Sequence, residues 1–137
     1  DNTVVSGLIF QKLVKINCPK CSLPIDKVTI KDDLIKRTKE ALSESQFNNV
    51  RFVNLKGCAS KNCRNGVIGR EVVAEIILPN EELMDILKTK GALAAKRHWK
   101  KNLNGMTVID HAIDKIGKGV LAPDNAEKAV GHLVETY

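Results

Sequence analysis

The chain is 137 residues long, the length of one ordinary domain, and carries a formal net charge of +6. Its composition of 43% hydrophobic and 28% charged residues is typical of a folded globular protein, and the aromatic content of 4% predicts an aliphatic core. No apolar run reaches the roughly 20 residues of a transmembrane helix, and the N-terminus lacks a signal-peptide pattern. Because the chain lacks an initiator Met and opens on a β-branched run, we expect a fragment of a longer protein.

The first third of the chain contains one apolar segment of undecided type and one helix. Residues 4–16 are apolar and β-branched, and their periodicity fits a buried strand and a short helix equally well. We expect this segment to complete a core that lies mostly outside the chain. Residues 32–46 show the amphipathic pattern of a helix that Asp32 or Asp33 could cap.

Two strands are predicted in the middle of the chain. Residues 50–55 alternate in the manner of a half-buried strand. Residues 66–79 form the stronger strand pattern, because β-branched apolar residues recur in this segment until Pro79 ends it. Arg70 and Glu75 lie five positions apart in this second segment, so we expect them on opposite faces of the strand and not in a direct ion pair.

The last third of the chain is predicted to be helical. Four helices are expected, at residues 81–89, 91–101, 107–116 and from residue 123 onward. Asn80 and Thr107 have side chains suited to cap the first and the third of these helices, and Gly117 and Gly119 would end the third. Asp124 and Glu127 have the three-residue spacing of a capping box at the start of the last helix.

The four cysteines fall into two close pairs, Cys18 with Cys21 and Cys58 with Cys63. Two short loops of this kind can bring four thiolates to the corners of a tetrahedron, the arrangement of a structural zinc site with Zn–S bonds of about 2.3 Å. Gly66 follows the second pair and would let a backbone amide turn towards a sulfur. All four cysteines are therefore predicted to be ligands of one structural Zn²⁺ ion.

Three other interpretations of the cysteines stay open. Two disulfides would suit a secreted protein, although the chain has no export signal. A redox pair formed by Cys18 and Cys21 would leave the second pair without a role. Iron can also occupy a cage of four thiolates, although zinc is the usual occupant.

The sequence carries no recognisable catalytic site. It contains no glycine-rich loop of the kind that binds nucleotide phosphates. His98, His111 and His132 each fall on a predicted helix and do not converge with a serine or carboxylate. His111 and Asp114 are one helical turn apart and are expected to form a surface pair. We therefore predict a structural or binding module and not an enzyme.

Segments on both sides of the cysteines match the motif order of a known family. The matching residues are Gln11 to Val14, Gly57, Cys58, Cys63, Gly66, Gly69, Arg70, Glu75, Gly105 to Thr107 and Lys115 to Gly119. In this order the chain resembles the C-terminal tetracysteine region of type II secretion and type IV pilus assembly ATPases. Its tail is most similar to the branch that serves type IVb and conjugative thin pili. Two departures stand out: four residues instead of two separate Cys58 from Cys63, and Lys12 replaces the family arginine.

This resemblance implies an α+β fold, in which a small zinc-stabilised module with a few short strands precedes a helical C-terminal subdomain. The whole would be a fragment of a RecA-like secretion ATPase. Residues 1–17 would be a remnant of the ATPase core, residues 18–79 the tetracysteine zinc module, and residues 80–137 the helical subdomain. The Walker motifs, with ATP and Mg²⁺, would belong to the parent protein upstream of this chain.

The resemblance also implies a location and partners. The parent would be a hexameric bacterial motor in the cytoplasm, at the face of the inner membrane. This region would contribute to motor architecture and contact inner-membrane platform or assembly proteins and neighbouring ATPase subunits. The net charge would suit peripheral contact with an anionic membrane. The alternative is a free-standing zinc module that binds nucleic acid, although the basic residues are not interleaved with aromatic ones; salt-dependent binding of DNA would distinguish it.

Overall fold

The computed structural model describes residues 7–134 and has an α+β architecture, as predicted. Two strands, β1 (Leu8–Asn17) and β2 (Val67–Ile77), form an antiparallel ribbon. The helices are α1 (Asp32–Ala41), α2 (Glu44–Phe47), α3 (Glu81–Lys90), α4 (Ala92–Asn102), α5 (Val108–Gly117) and α6 (Pro123–Val130), with a 3-10 turn at Ile25–Lys27. The undecided N-terminal segment is thus a strand from Leu8, and its residues 4–6 lie outside the described part of the chain.

The two faces of the ribbon have different environments. Successive side chains of a strand point to opposite faces, and the register places Val14 and Val73 on one face, where both are buried. The pairs Ile9 with Ile76 and Leu13 with Val72 lie on the other face. These four side chains, which we call the outer face, are between 42% and 68% exposed. The ribbon therefore buries the middle of one face, at Val14 and Val73, and leaves the apolar side chains of the other face exposed.

The main core lies between the inner face of the ribbon and the C-terminal helices. Helix α5 packs against β2, and α6 packs against β1. The core is aliphatic apart from one phenylalanine and consists of Val14, Leu42, Val50, Phe52, Val73, Val108, Ala112, Ile116, Leu121, Ala122, Ala126 and Leu133. The predicted aliphatic core is therefore confirmed.

Helices α3 and α4 form a smaller satellite core. Its buried members are Leu83, Ala95 and Trp99, with Ile77 packed against them. The loop after α4 passes directly over the indole ring, and a side chain at Gly105 would collide with Trp99. An ion pair of 3.1 Å from Lys100 in α4 to Asp110 in α5 connects this hairpin to the main core.

Two predictions in the first half of the chain are wrong. Residues 50–55 do not form a strand, because Phe52 exchanges backbone hydrogen bonds only with Leu23, and their alternation reflects burial of Val50 and Phe52 in the core. The helix predicted over residues 32–46 is interrupted at Ser43, whose side chain accepts a hydrogen bond from the Gln46 amide while the Gln46 side chain accepts one from Ser43. This capping box starts α2 as a separate helix.

The helix caps follow the sequence at two of the predicted positions. Asn80 accepts a hydrogen bond from the Leu83 amide, and Thr107 forms a capping box with Asp110. Neither Asp32 nor Asp33 is the N-cap of α1, because the helix already begins at Asp32 and its N-cap is Lys31.

The predicted capping box of α6 is also wrong. The helix follows Ala122, begins at Pro123 and has no side-chain cap. Glu127 instead accepts two hydrogen bonds from the Arg37 guanidinium, at 2.7 and 2.8 Å, and one from the Leu133 amide at 2.9 Å. The carboxylate that the local pattern assigned to the cap therefore forms a long-range ion pair with Arg37.

Candidate metal centre

The ribbon places both cysteine loops at one of its ends. Cys18 directly follows the last residue of β1, and Gly66 directly precedes the first residue of β2. The Cys18 amide donates a hydrogen bond of 2.8 Å to the Gly66 carbonyl, which closes residues 18–66 into one insertion. The turn before β2 requires glycine, because Gly66 has φ +87° and a Cβ there would collide with the Asn54 carbonyl.

The four predicted ligands come together in the structure. The Sγ atoms of Cys18, Cys21, Cys58 and Cys63 all lie within 4.8 Å of one another. The closest pairs join the two loops, with Sγ–Sγ distances of 3.8 Å for Cys18 to Cys58 and for Cys21 to Cys63. Four sulfurs at about 2.3 Å from a central ion would be separated by about 3.8 Å at the edges of a tetrahedron. The cluster can therefore hold a metal ion.

The cysteines differ in exposure and in hydrogen bonding. Cys18 and Cys63 are buried, Cys21 is half-buried and Cys58 is exposed. The Gly66 amide donates to the Cys63 sulfur at 3.3 Å, in agreement with the prediction that glycine would turn an amide towards a thiolate. All four are free thiols, and a bond between any two would require the sulfurs to approach to about 2.05 Å.

The thiol pKa values are shifted in opposite directions. Burial raises the pKa of Cys18, but hydrogen bonds from the Cys21 and Lys20 amides and from neighbouring thiols favour its thiolate more strongly, so that the pKa falls to about 7. Burial raises the pKa of Cys21, and its hydrogen bonds with the other thiols and the negative charge of Cys18 add to this effect, to about 12. A bound cation would have to displace the Cys21 proton, which makes metal affinity rise with pH.

Comparison with known proteins gives the family of this chain. Residues 2–128 match the family model described as type II/IV secretion system protein. The chain belongs to the type II/IV secretion system protein family. Comparison with curated proteins gives no match. The resemblance stated from the motifs is therefore confirmed at the level of this family, and the chain is a region of a secretion or pilus ATPase family member that carries a tetracysteine cluster able to hold a metal ion.

The histidines of this family member do not join the cluster. His111 accepts a hydrogen bond of 3.0 Å from the Ala74 amide, so it caps a backbone N–H of β2. The predicted surface pair of His111 with Asp114 is wrong, because Asp114 pairs with Lys118 one turn later. His132 was predicted on the last helix but follows its end at Val130.

Glu75 and Arg70 lie on opposite faces of β2, as predicted. Glu75 shares the inner face with Val73 and accepts a hydrogen bond of 2.9 Å from the Val108 amide, which fixes the start of α5. Arg70 lies opposite Lys15 across the ribbon, and no ion pair of Arg70 is found within residues 7–134. The two residues therefore have separate structural surroundings.

Asn17 supports the site but was not predicted. Asn17 is only 3% exposed. Its side-chain Nδ2 donates to the Arg51 and Gly119 carbonyls at 3.1 Å each, and its backbone N–H donates to the Val120 carbonyl at 2.9 Å. It thereby joins β1 to two other segments immediately before Cys18. The only sequence signal is a polar residue at the end of an apolar strand.

The helices of this family member are short in relation to the thickness of a bilayer. Within the described residues, none combines the length and the apolar character that crossing a membrane requires.

Proposed function

We propose that the four cysteines bind one structural zinc ion, which stabilises an insertion in the ribbon of a secretion or pilus assembly ATPase. The observation that carries this proposal is the pair of 3.8 Å sulfur separations between the two loops, which equals the edge of a zinc–thiolate tetrahedron. Four protein ligands leave no coordination position for substrate or water, so the ion would stabilise the fold and would not catalyse a reaction.

The choice of zinc follows from the ligand chemistry. A cage of four thiolates selects zinc or iron among biological metals, and zinc needs no redox partner to remain bound. Four thiolates exceed the charge of Zn²⁺, and four exposed basic side chains next to the cysteines offset the excess. They are Lys20, Lys56, Lys61 and Arg64. The longer spacing between Cys58 and Cys63 is accommodated because the turn after it places the Gly66 amide against the Cys63 sulfur.

The test is metal analysis of the purified chain, followed by chelation. We expect one zinc ion per chain, loss of zinc in Cys63→Ser, and retention of zinc in the control Ser60→Ala, which changes the same loop without removing a ligand. A folded chain that is free of metal and contains two disulfides would contradict the proposal. A dithiol pair that cycles between redox states without any change in metal content would contradict it as well.

We further propose that this chain serves the parent motor as architecture and as a docking region. The outer face of the ribbon supports this role, because four neighbouring apolar side chains are exposed on it and exposed apolar patches mark interaction surfaces. Residues 1–17 would belong to the ATPase core, residues 18–79 to the zinc module and residues 80–137 to the helical subdomain. ATP and Mg²⁺ would bind upstream of this chain, which itself would have no enzymatic activity.

In this docking role, the outer face would contact the ATPase core or a neighbouring subunit. The motor would lie at the cytoplasmic face of the inner membrane, near the platform proteins of that membrane. In the full-length motor, Leu13→Glu would place a charge in this interface and reduce both hexamer assembly and ATP hydrolysis. The matched control is Leu93→Glu, at an exposed leucine of α4 outside the ribbon. A motor that assembles normally with Leu13→Glu would rule out an interface on this face.

A further inference from the structure

A basic cleft lies where the ribbon, the second cysteine loop and α6 meet. Its volume is about 700 Å³, within the range of sites that hold ligands or peptide segments. Four cationic side chains line it: Lys15 from β1, Arg64 from the cysteine loop, Arg70 from β2 and Lys128 from α6. We call this the basic cleft. Because four separate segments supply its charges, their convergence is a property of the fold and not of one basic run.

None of the four cations of the basic cleft forms an ion pair with a carboxylate of residues 7–134. Asp124 is the one carboxylate in its lining. Six ion pairs connect other charged side chains in the described part of the chain, and none includes any of the four cleft cations. Basic side chains elsewhere, such as Arg37 and Lys115, do form such pairs. The basic cleft therefore carries an excess of positive charge, because four cations share it with the single carboxylate of Asp124, and only Arg64 also lies beside the cysteines.

The position of Lys15 and Arg70 is unfavourable for the stability of the fold alone. The two residues lie directly opposite each other across the ribbon. Like charges at directly opposed positions of an antiparallel pair repel and destabilise the sheet. An anion bound between them would convert this repulsion into two favourable interactions, and the guanidinium of Arg70 can bind a carboxylate through two hydrogen bonds.

The remaining lining favours a peptide over a nucleic acid. Among residues 7–134, no aromatic side chain lines the basic cleft, so none of them can stack on a base there. Amide side chains of Asn62, Asn65 and Asn125 can exchange hydrogen bonds with a peptide backbone. Leu55 is 80% exposed and Ile68 is also exposed beside them, which provides contact surface for aliphatic side chains.

We propose that the basic cleft binds an acidic peptide segment of a partner protein, with carboxylates at the four cations and aliphatic side chains against Leu55 and Ile68. The inference rests on the docking role proposed above and names the chemistry of one partner. It does not depend on which metal the cysteines hold, since Lys15, Arg70 and Lys128 lie outside the cysteine loops.

The test uses fluorescence anisotropy with a labelled peptide rich in Glu and Leu, and a second peptide in which Gln replaces Glu. We expect the chain to bind the first peptide and not the second. The double variant Lys15→Gln/Arg70→Gln should weaken binding about tenfold or more, because both changes remove charges that contact the ligand. The control Lys88→Gln/Lys101→Gln removes the same charge from α3 and α4, outside the basic cleft, and should leave the affinity within about twofold.

Two further measurements separate binding from folding. Circular dichroism and metal content should be unchanged in the double variant, and its stability should be equal or higher because the opposed like charges are gone. Arg70→Lys keeps the charge but loses the two-pronged geometry, and its affinity should lie between those of the wild type and the double variant.

Several outcomes would overturn the inference. These are absence of binding to the acidic peptide, an equal loss of affinity in the control, and cleft-dependent binding of DNA or phosphatidylglycerol vesicles in place of the peptide. Metal content bears on the zinc proposal alone. A chain that holds zinc but fails to bind the peptide overturns only this inference, whereas a metal-free chain that binds it overturns only the zinc centre.

Discussion

The cysteine loops and the main core are held together by different interactions. In the main core, Val73, Ala112, Ile116 and Leu121 are fully inaccessible to solvent. In the cysteine loops the buried apolar groups are mainly sulfurs, while the nearby Leu55 points into solvent. Helices here derive their stability from apolar burial, whereas under the zinc proposal the loops would depend on ligation of their thiols. The two regions should therefore respond to different perturbations.

The largest expected effect is that of metal removal. Structural zinc contributes about 10–16 kcal/mol to the folding of small zinc domains, more than any single side chain here. A chelator should expose the Cys18, Cys63 and Gly66 amides to hydrogen exchange, while the amide of Ile116 in α5 stays protected. Equal acceleration of exchange in both regions would show that they unfold as one unit, and the comparison would fail.

Ile116→Ala should destabilise the main core. Removal of this fully buried side chain leaves a cavity and should lower the free energy of unfolding by about 2–5 kcal/mol without changing metal affinity. The matched control is Ile76→Ala on the outer face, where the side chain is exposed and the cost should be below about 1 kcal/mol. Urea unfolding with a metal titration measures both quantities. Loss of metal binding in Ile116→Ala would argue against independent stabilisation.

Glu127→Gln tests the ion pair that connects α1, which lies between the cysteine pairs, to α6. The side chains of Arg37 and Glu127 are 17% and 10% exposed, and we expect a loss of about 2–4 kcal/mol at neutral pH. Burial raises the pKa of Glu127, but hydrogen bonds from Arg37 and the Leu133 amide lower it by a larger amount. The pKa of Glu127 therefore lies below its usual value of 4.5.

The sign of the pH dependence follows from this lowered pKa. The contribution of Glu127 is fully present above about pH 4.5 and is lost as the pH falls through the lower pKa of the folded state. The difference in unfolding free energy between wild type and Glu127→Gln should thus shrink on acidification. Asp33→Asn provides the control, because Asp33 contacts Arg37 from an exposed position and should cost less than about 1 kcal/mol. A difference that stays constant from neutral to acid pH would contradict the assignment.

The smallest effect is expected in the satellite core. Gly105→Ala places a methyl group against the indole ring of Trp99 and should destabilise the α3–α4 hairpin by about 1–3 kcal/mol. Trp99 is the only tryptophan of the chain, so its fluorescence reports on this hairpin while far-ultraviolet circular dichroism reports on all helices. In Gly105→Ala the fluorescence transition should precede the dichroism transition. Coincident transitions would mean that the hairpin is part of the main core.

Local patterns predicted the elements whose stabilising contacts are close in sequence. The caps at Asn80 and Thr107 and the helices that follow them depend on residues within one turn. The type of the N-terminal segment could not be predicted, because its strand partner β2 begins only at Val67. For the same reason the capping box predicted for α6 was wrong, since Glu127 binds Arg37, far away in sequence.

The candidate metal centre likewise has one part that could be predicted from local sequence and one part that could not. The clustering of its four cysteines could be predicted, because paired cysteines at short spacing have few uses and each loop is local. Asn17 could not be identified as a supporting residue, because the carbonyls that it binds belong to distant segments. The basic cleft was likewise hidden, because the scattered lysines and arginines of the sequence converge only after the ribbon and α6 have packed.

The hydrogen bond between the Cys18 amide and the Gly66 carbonyl has a kinetic consequence. Forming the ribbon requires closure of the long segment 18–66, whose entropic cost must be met before any pair of the register forms. Metal captured by the unfolded chain would meet that cost first and place the two strand ends side by side, after which pairing can proceed from that end one residue at a time. Under the zinc proposal, zinc added before refolding should therefore raise the rate of folding, whereas zinc added afterwards should lengthen only the lifetime of the folded state.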